Sequence, residues 1–181
     1  MHRAVHCLHS GGLIAYPTES VYGLGCDPFN SAAVYRLLAL KNRDESKGLI
    51  LVVANRHQLS EILPSLNDAQ LDWLEESSLL EPLTGLVPDR SQRIPPWIKG
   101  QHARVAVRVS RHPVVQRLCL LFGGAIVSSS ANLSGFKSAK TPLQVRQQLR
   151  SGLDYLLVGD VGGAPSPSQI QNICDNTVVR E

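Results

Sequence analysis

Leu49-Ile50-Leu51-Val52-Val53 is apolar at every position. A strand with one wet face alternates, so an unbroken run of this length reads as a strand covered on both faces. That calls for layers on either side of a sheet. Around the run, helical and strand patterns alternate irregularly. This predicts an α/β chain of mixed α+β type, with a mixed sheet rather than a doubly wound parallel one. At 181 residues the length fits one domain, 1–181, with a core of its own. Hydrophobic residues at 43% and charged residues at 18% exclude a disordered chain. Neither a bilayer-length apolar run nor a secretory leader is present, so the expected location is cytoplasmic and off the membrane.

Arg3–His9 reads as an amphipathic helix closed by Gly11-Gly12, and Leu13–Tyr16 as a short strand stopped by Pro17. Asn30 can cap a helix through Ala33, Val34, Leu37, Leu38 and Leu40. Asn55-x-x-Gln58, Asn67-x-x-Gln70 and Thr141-x-x-Gln144 have the spacing of capping boxes, the last followed by Pro142. Val105, Val107 and Val109 alternate with Ala106 and Arg108, giving a strand with one apolar face. Pro113 opens a further helix. Ala125-Ile126-Val127 is a strand running into Ser128-Ser129-Ser130-Ala131-Asn132, and Tyr155–Val158 and Thr177–Val179 read as the last strands.

The net charge of +3 conceals an asymmetry. Gln58–Asp89 carries seven acids and no Lys or Arg, and Arg90–Arg117 carries seven cations and no acid. Thirteen arginines against five lysines fit the recognition of carboxylate or phosphate, although solvated faces account for most such residues. Cys7, Cys26, Cys119 and Cys174 form no C-x-x-C and read as reduced, largely buried thiols. His2, His6 and His9 share one helical face, the wet side of a terminal helix rather than a metal site.

Three segments can carry chemistry. Tyr16-Pro17-Thr18-Glu19-Ser20-Val21-Tyr22-Gly23-Leu24-Gly25 crowds hydroxyls, a carboxylate and two glycines into the connection after a buried strand. Lys41-Asn42-Arg43, with Lys47, places cations between a helix end and the buried run. The helix dipole explains Lys41 but not Lys47, and the group can clamp a triphosphate or a carboxylate. Ser128–Asn132 offers consecutive hydroxyls and amides, which suit phosphate oxygens or an ordinary turn. Arg108 can reach the same rim. No P-loop, complete G-x-G-x-x-G or G-x-S-x-G occurs.

In this order the pieces resemble the YrdC/TsaC family of threonylcarbamoyl-AMP synthases. The decapeptide Tyr16–Gly25 is similar to that family's opening signature. Lys41-Asn42-Arg43 is similar to its K-x-R, Ser130-Ala131-Asn132 to its S-x-N, and Val107-Arg108-Val109 with His112-Pro113 to its V-R-V…H-P junction. The likeness spans nearly the whole chain and matches the short bacterial form. Departures are Leu80-Glu81-Pro82-Leu83-Thr84 in place of P-G-P-x-T, Asp44 after Arg43, and Ser20 where Thr is common.

The resemblance implies a three-layer fold with a twisted mixed sheet around a basic concave cleft. It implies synthesis of L-threonylcarbamoyladenylate from ATP, bicarbonate and L-threonine with release of pyrophosphate, Mg²⁺ arriving on the nucleotide and no protein metal site. The product serves a separate transferase that modifies tRNA, and direct tRNA binding is expected to be weak. On that footing Lys41 and Arg43 are the catalytic candidates. Arg43, Lys47, Thr84, Ser130 and Asn132 are assigned to ATP, and Ser20, Arg108 and Ser128 to threonine. Two other readings are a non-enzymatic RNA-binding module, favoured by Arg90–Arg117 but not by 5% aromatics, and a carbamoyl-transfer domain of hydrogenase-maturation type.

Overall fold

Among the described residues the apolar run becomes the fifth of nine strands, at the centre of one continuous mixed sheet. The computed structural model describes residues 1–80, 82–149, 151–166, 168–175 and 177–180. In chain order they form α1 (His2–His9), β1 (Ile14–Pro17), β2 (Tyr22–Gly25), α2 (Ser31–Lys41), a short 3₁₀ helix (Glu45–Lys47) and β3 (Ile50–Val53). Then come α3 (Arg56–Ile62), α4 (Asp68–Leu80), β4 (Leu83–Pro88), α5 (Pro96–Lys99), β5 (Arg104–Val109) and α6 (Pro113–Phe122). The chain ends with β6 (Ile126–Ser130), α7 (Pro142–Leu149), β7 (Tyr155–Leu156), β8 (Gln169–Asn172) and β9 (Val178–Arg180). The sheet order is β7-β1-β2-β6-β3-β5-β4-β8-β9. The β1–β7, β3–β5 and β4–β8 pairs are parallel and the rest antiparallel, so the sheet is mixed as expected.

Alternation along the central strands explains the layers. Leu51 and Val53 of β3, Val105, Val107 and Val109 of β5, and Val127 of β6 point to one side. There they pack with Val34 and Leu37 of α2, Leu71 and Leu74 of α4, and Val145 of α7. Val52 and Ile126, with Ile14 and Tyr16 of β1, point to the other side and pack with Leu8 of α1 and Leu118 of α6. Three layers result.

The helix starts follow their caps. Asn30 Oδ1 accepts from Ala33 N at 3.1 Å. Asn67 and Gln70 exchange both bonds of a capping box, 2.9 and 3.1 Å, and so do Thr141 and Gln144, 3.3 and 3.2 Å. Gln58 departs from that pattern: its own amide is capped by Asn55, but its side chain accepts from Ala54 N and donates to the Cys119 carbonyl, stapling α3 to α6.

Three strands lie outside the sequence expectations: β2, the second half of the Tyr16–Gly25 segment, and β4 and β8. The thiol expectation holds for Cys26 and Cys119, which are buried and pushed up to about 12 by burial, but Cys174 is exposed. Among the described residues no helix is long and apolar enough to cross a membrane.

Candidate active site

Helices α1 and α6 cover only part of their side of the sheet, and β6 changes chemistry where the cover stops. Ile126 lies beneath the helices, and Ser128 and Ser130, on the same face two and four residues on, line an open cleft of about 250 Å³. Beside them Ile50 pairs with Ser128 from β3, and Arg108 of β5 lies next to Val52. Of the two readings open for these serines, phosphate donors or an ordinary turn, the turn does not hold for Ser128–Ser130: they are strand residues presented to a cavity.

The opening segment forms one wall. Tyr16 and Gly23 are register partners in the β1–β2 hairpin, and the Tyr16 hydroxyl donates to the Val127 carbonyl at 3.1 Å. A Cβ on Gly25 would stand 2.3 Å from that carbonyl and 2.9 Å from the tyrosine ring. Both glycines make room for Tyr16, and Gly23 also lines the cleft. Between the strands, Thr18 folds back on Val21 through its hydroxyl, 2.7 Å, and Ser20 lines the cleft.

Arg108 reaches the cleft almost entirely buried, its side chain 10% exposed. Its Nη1 lies 3.7 Å from Glu19 Oε2, and neither Arg108 Nε nor Glu19 Oε2 has a hydrogen-bond partner among the described residues. Glu19 Oε1 accepts from the Ser110 hydroxyl at 2.6 Å and the Arg111 amide at 3.1 Å. Burial works to raise the Glu19 pKa, but Arg108, Ser110 and Arg111 outweigh it and hold the carboxyl below its ordinary value.

Lys41 ends α2 behind the cleft and is not among its lining residues. Its ammonium donates to the carbonyls of Ser130 and Asn132, the latter at 2.8 Å. Burial, and then the neighbouring Arg43, lower its pKa to about 8. Asn132 also stays behind the lining: its amide donates to the Leu133 and Phe136 carbonyls at 2.9 and 2.8 Å, shaping the turn after β6. Asn42, in the left-handed conformation, closes α2 and sends Arg43 toward the cleft. Arg43 Nη2 donates to the Gly48 carbonyl at 2.9 Å. Asp44 does not crowd this cation: it is exposed and caps the 3₁₀ helix through Ser46 N at 2.8 Å.

Arg43 also lines a second cavity of about 300 Å³ that shares Leu49 and Ile50 with the cleft. It has Lys47, His102 and Arg104 around Leu86, Ala106 and Ile170. The turn at its mouth needs glycine, since Gly48 has φ +61° and a Cβ there would lie 2.8 Å from the Lys99 carbonyl.

Thr84 is fully buried, and its hydroxyl meets Ser168 Oγ at 2.8 Å. Ser168, not Thr84, lines the cleft, so this contact enters the site through a residue that no sequence motif marks. Of the substituted loop, Pro82–Thr84 is in place, while Glu81 lies outside the described residues.

The basic segment Arg90–Arg117 does not form one patch. Lys99 pairs with Asp89 at 3.2 Å, Arg93 donates to the Glu61 carbonyl at 3.1 Å, and Arg111 donates to the Glu75 carbonyl at 2.8 Å. His2, His6 and His9 are exposed, and among the described residues no group of three or more His, Cys, Asp or Glu side chains is placed to hold a metal.

The family model for Sua5/YciO/YrdC, described as telomere recombination, matches residues 6–181. A Pseudomonas aeruginosa protein named threonylcarbamoyl-AMP synthase is 49% identical over 177 residues, 98% of this chain and 94% of that protein. A Photobacterium profundum protein of the same name is 44% identical over 185 residues, 100% and 98% of the two chains. Among solved structures, P. abyssi Sua5 complexed with L-threonine is 29% identical with a TM-score of 0.82. The match covers 94% of this chain and 49% of the other, so the chain spans about half the length of that protein.

Proposed function

The chain belongs to the Sua5/YciO/YrdC family, and from that premise we propose that its cleft makes L-threonylcarbamoyladenylate from ATP, L-threonine and bicarbonate, releasing pyrophosphate. The threonine nitrogen bonds to the bicarbonate carbon and water leaves. A carbamate oxygen then bonds to the α-phosphorus, and the bond to the β-phosphate oxygen breaks, its electrons leaving with pyrophosphate. The hard part is to bring a carbamate against a triphosphate, both anionic. Fixed cations offset that repulsion and fix the approach.

The observation that carries the reading is the pair of arginines facing one cleft. Buried Arg108 sits beside Ser20 and Ser128, and Arg43 stands where the cleft meets the second cavity. In this reading Arg108 takes the threonine carboxylate, with Ser20 and Ser128 on the rest of the amino acid. Arg43 and Lys47 take phosphates, Ser130 presents its hydroxyl, and the apolar floor of the second cavity takes the base. Arg43, common to both compartments, is the cation at the reacting phosphate. Lys41, Asn132 and Thr84 act through the atoms they hold: Lys41 and Asn132 fix the turn after Ser130, and Thr84 fixes Ser168. Mg²⁺ enters on the nucleotide, held by phosphate oxygens and water.

The product feeds a separate transferase acting on tRNA, so the protein is expected in the cytoplasm and needs no RNA for its own turnover. The RNA-binding reading loses its main support, because Arg93, Lys99 and Arg111 of the basic segment are committed to partners within the protein. Pyrophosphate release measured without RNA tests the proposal. It is expected with all three substrates and to vanish when any one is omitted; release independent of threonine would refute it.

A further inference from the structure

The cleft must seat two anions of different kinds side by side, and a carboxylate stands behind its buried arginine: Glu19 lies outside the cleft lining, on the wall of a neighbouring cavity, and faces Arg108. Glu19 is held at every level. Its main-chain carbonyl accepts from Ala164 N at 2.9 Å, and a Cβ on Gly162 would come within 3.2 Å of its Cα. Its Oε1 is tied to Ser110 and Arg111. What remains is Oε2, buried, without a hydrogen-bond partner among the described residues, and 3.7 Å from Arg108 Nη1. That separation compensates charge without locking the two groups into a hydrogen-bonded fork. Arg108 therefore stays in the cleft with donors to offer, yet with its charge already balanced.

We propose that Glu19 sets the anion specificity of the threonine end of the cleft: it balances Arg108 so that this end accepts a zwitterionic amino acid and rejects phosphate. The proposal rests on the reading that Arg108 receives the threonine carboxylate. A phosphate or pyrophosphate group seated on Arg108 would bring two or more negative charges toward a fixed carboxylate. Threonine brings one, and its ammonium offsets the repulsion. The pair is buried, so salt screens it poorly. An unbalanced arginine would bind ATP or pyrophosphate in the amino-acid seat, and a repulsive element against the wrong ligand is what selectivity requires.

Glu19→Gln tests this, because glutamine keeps an acceptor oxygen for Ser110 and Arg111 and puts a neutral amide NH2 in place of the charged Oε2. In the wild type, pyrophosphate should inhibit in competition with ATP and not with threonine. In Glu19→Gln it should also compete with threonine, with an inhibition constant at least about tenfold lower than any seen against threonine in the wild type. A purely structural role for Glu19 would not create a new competition pattern. A folded Glu19→Gln protein with the wild-type pattern overturns the proposal. So does calorimetry in which pyrophosphate displaces threonine from the wild-type protein, a measurement independent of whether the variant folds. Arg108→Gln separates the two layers. If it leaves the threonine KM unchanged, the seat itself is wrong. If it raises that KM and Glu19→Gln leaves the competition unaltered, only the role of Glu19 fails.

Discussion

The Lys41 ammonium lies 2.8 Å from the Asn132 carbonyl oxygen, in a position 4% exposed. A cation is thus spent on the main chain that leaves β6. Its pKa falls from the ordinary 10.5 to about 8, chiefly through burial. A lysine depressed in the folded state contributes most above its unfolded pKa, and that contribution is lost as pH falls through the folded value. Wild-type stability should therefore rise relative to Lys41→Met by about 2 kcal/mol between about pH 7.5 and pH 10. Urea denaturation of both proteins at the two pH values checks this. The comparison cancels the buried thiols, whose raised pKa values act in the opposite direction.

Gly25 has no room for a side chain. With a Cβ 2.3 Å from the Val127 carbonyl, Gly25→Ala must push β2 off β6 or displace Tyr16. A loss of about 1–3 kcal/mol or more is expected in chemical denaturation. Gly124→Ala, where a Cβ meets nothing within 4 Å, should be near neutral. Equal behaviour of the two would contradict the packing described.

Thr84 does not line the cleft and meets it through Ser168. Thr84→Val and Ser168→Ala should each weaken ATP binding, and the double variant should be no worse than the stronger single one, since both break one contact. Calorimetric titration supplies the cycle. Additive losses would mean that Thr84 meets the nucleotide directly.

Hydroxyls line the seat proposed for threonine. A site that hydrogen-bonds a substrate hydroxyl rejects an analogue lacking it far more strongly than a pocket that senses only a methyl. The kcat/KM for 2-aminobutyrate should fall at least about a hundredfold below that for threonine. Comparable values would remove Ser20 and Ser128 from that role.

Much of this architecture was legible because it depends on local pattern. The unbroken Leu49–Val53 run, the Val105–Val109 alternation and the Asn30, Asn67 and Thr141 caps each specify their own element. β2, β4 and β8 were not legible. Tyr22-Gly23-Leu24-Gly25 is half glycine, Leu83–Pro88 contains Gly85 and ends in proline, and Gln169–Asn172 is mostly polar. These strands exist through pairing with distant neighbours, which no local window reports. In the site, Arg43, Arg108, Ser20, Ser128 and Ser130 converge as their motifs implied. The positions of Lys41, Asn132 and Thr84 behind the lining depend on tertiary contacts, and so does Ser168, which follows a Pro/Ser stretch without any signal.

The most direct test of the central claim follows the carbon. Carbon-13 bicarbonate, L-threonine and ATP are incubated with the protein in the absence of RNA, and the adenylate products are weighed by mass spectrometry. The predicted result is a threonine-linked AMP carrying one labelled carbon, formed in step with pyrophosphate and lost in Arg108→Ala. Pyrophosphate release with no label in the adenylate, or a labelled product that forms only when tRNA is added, would contradict the account.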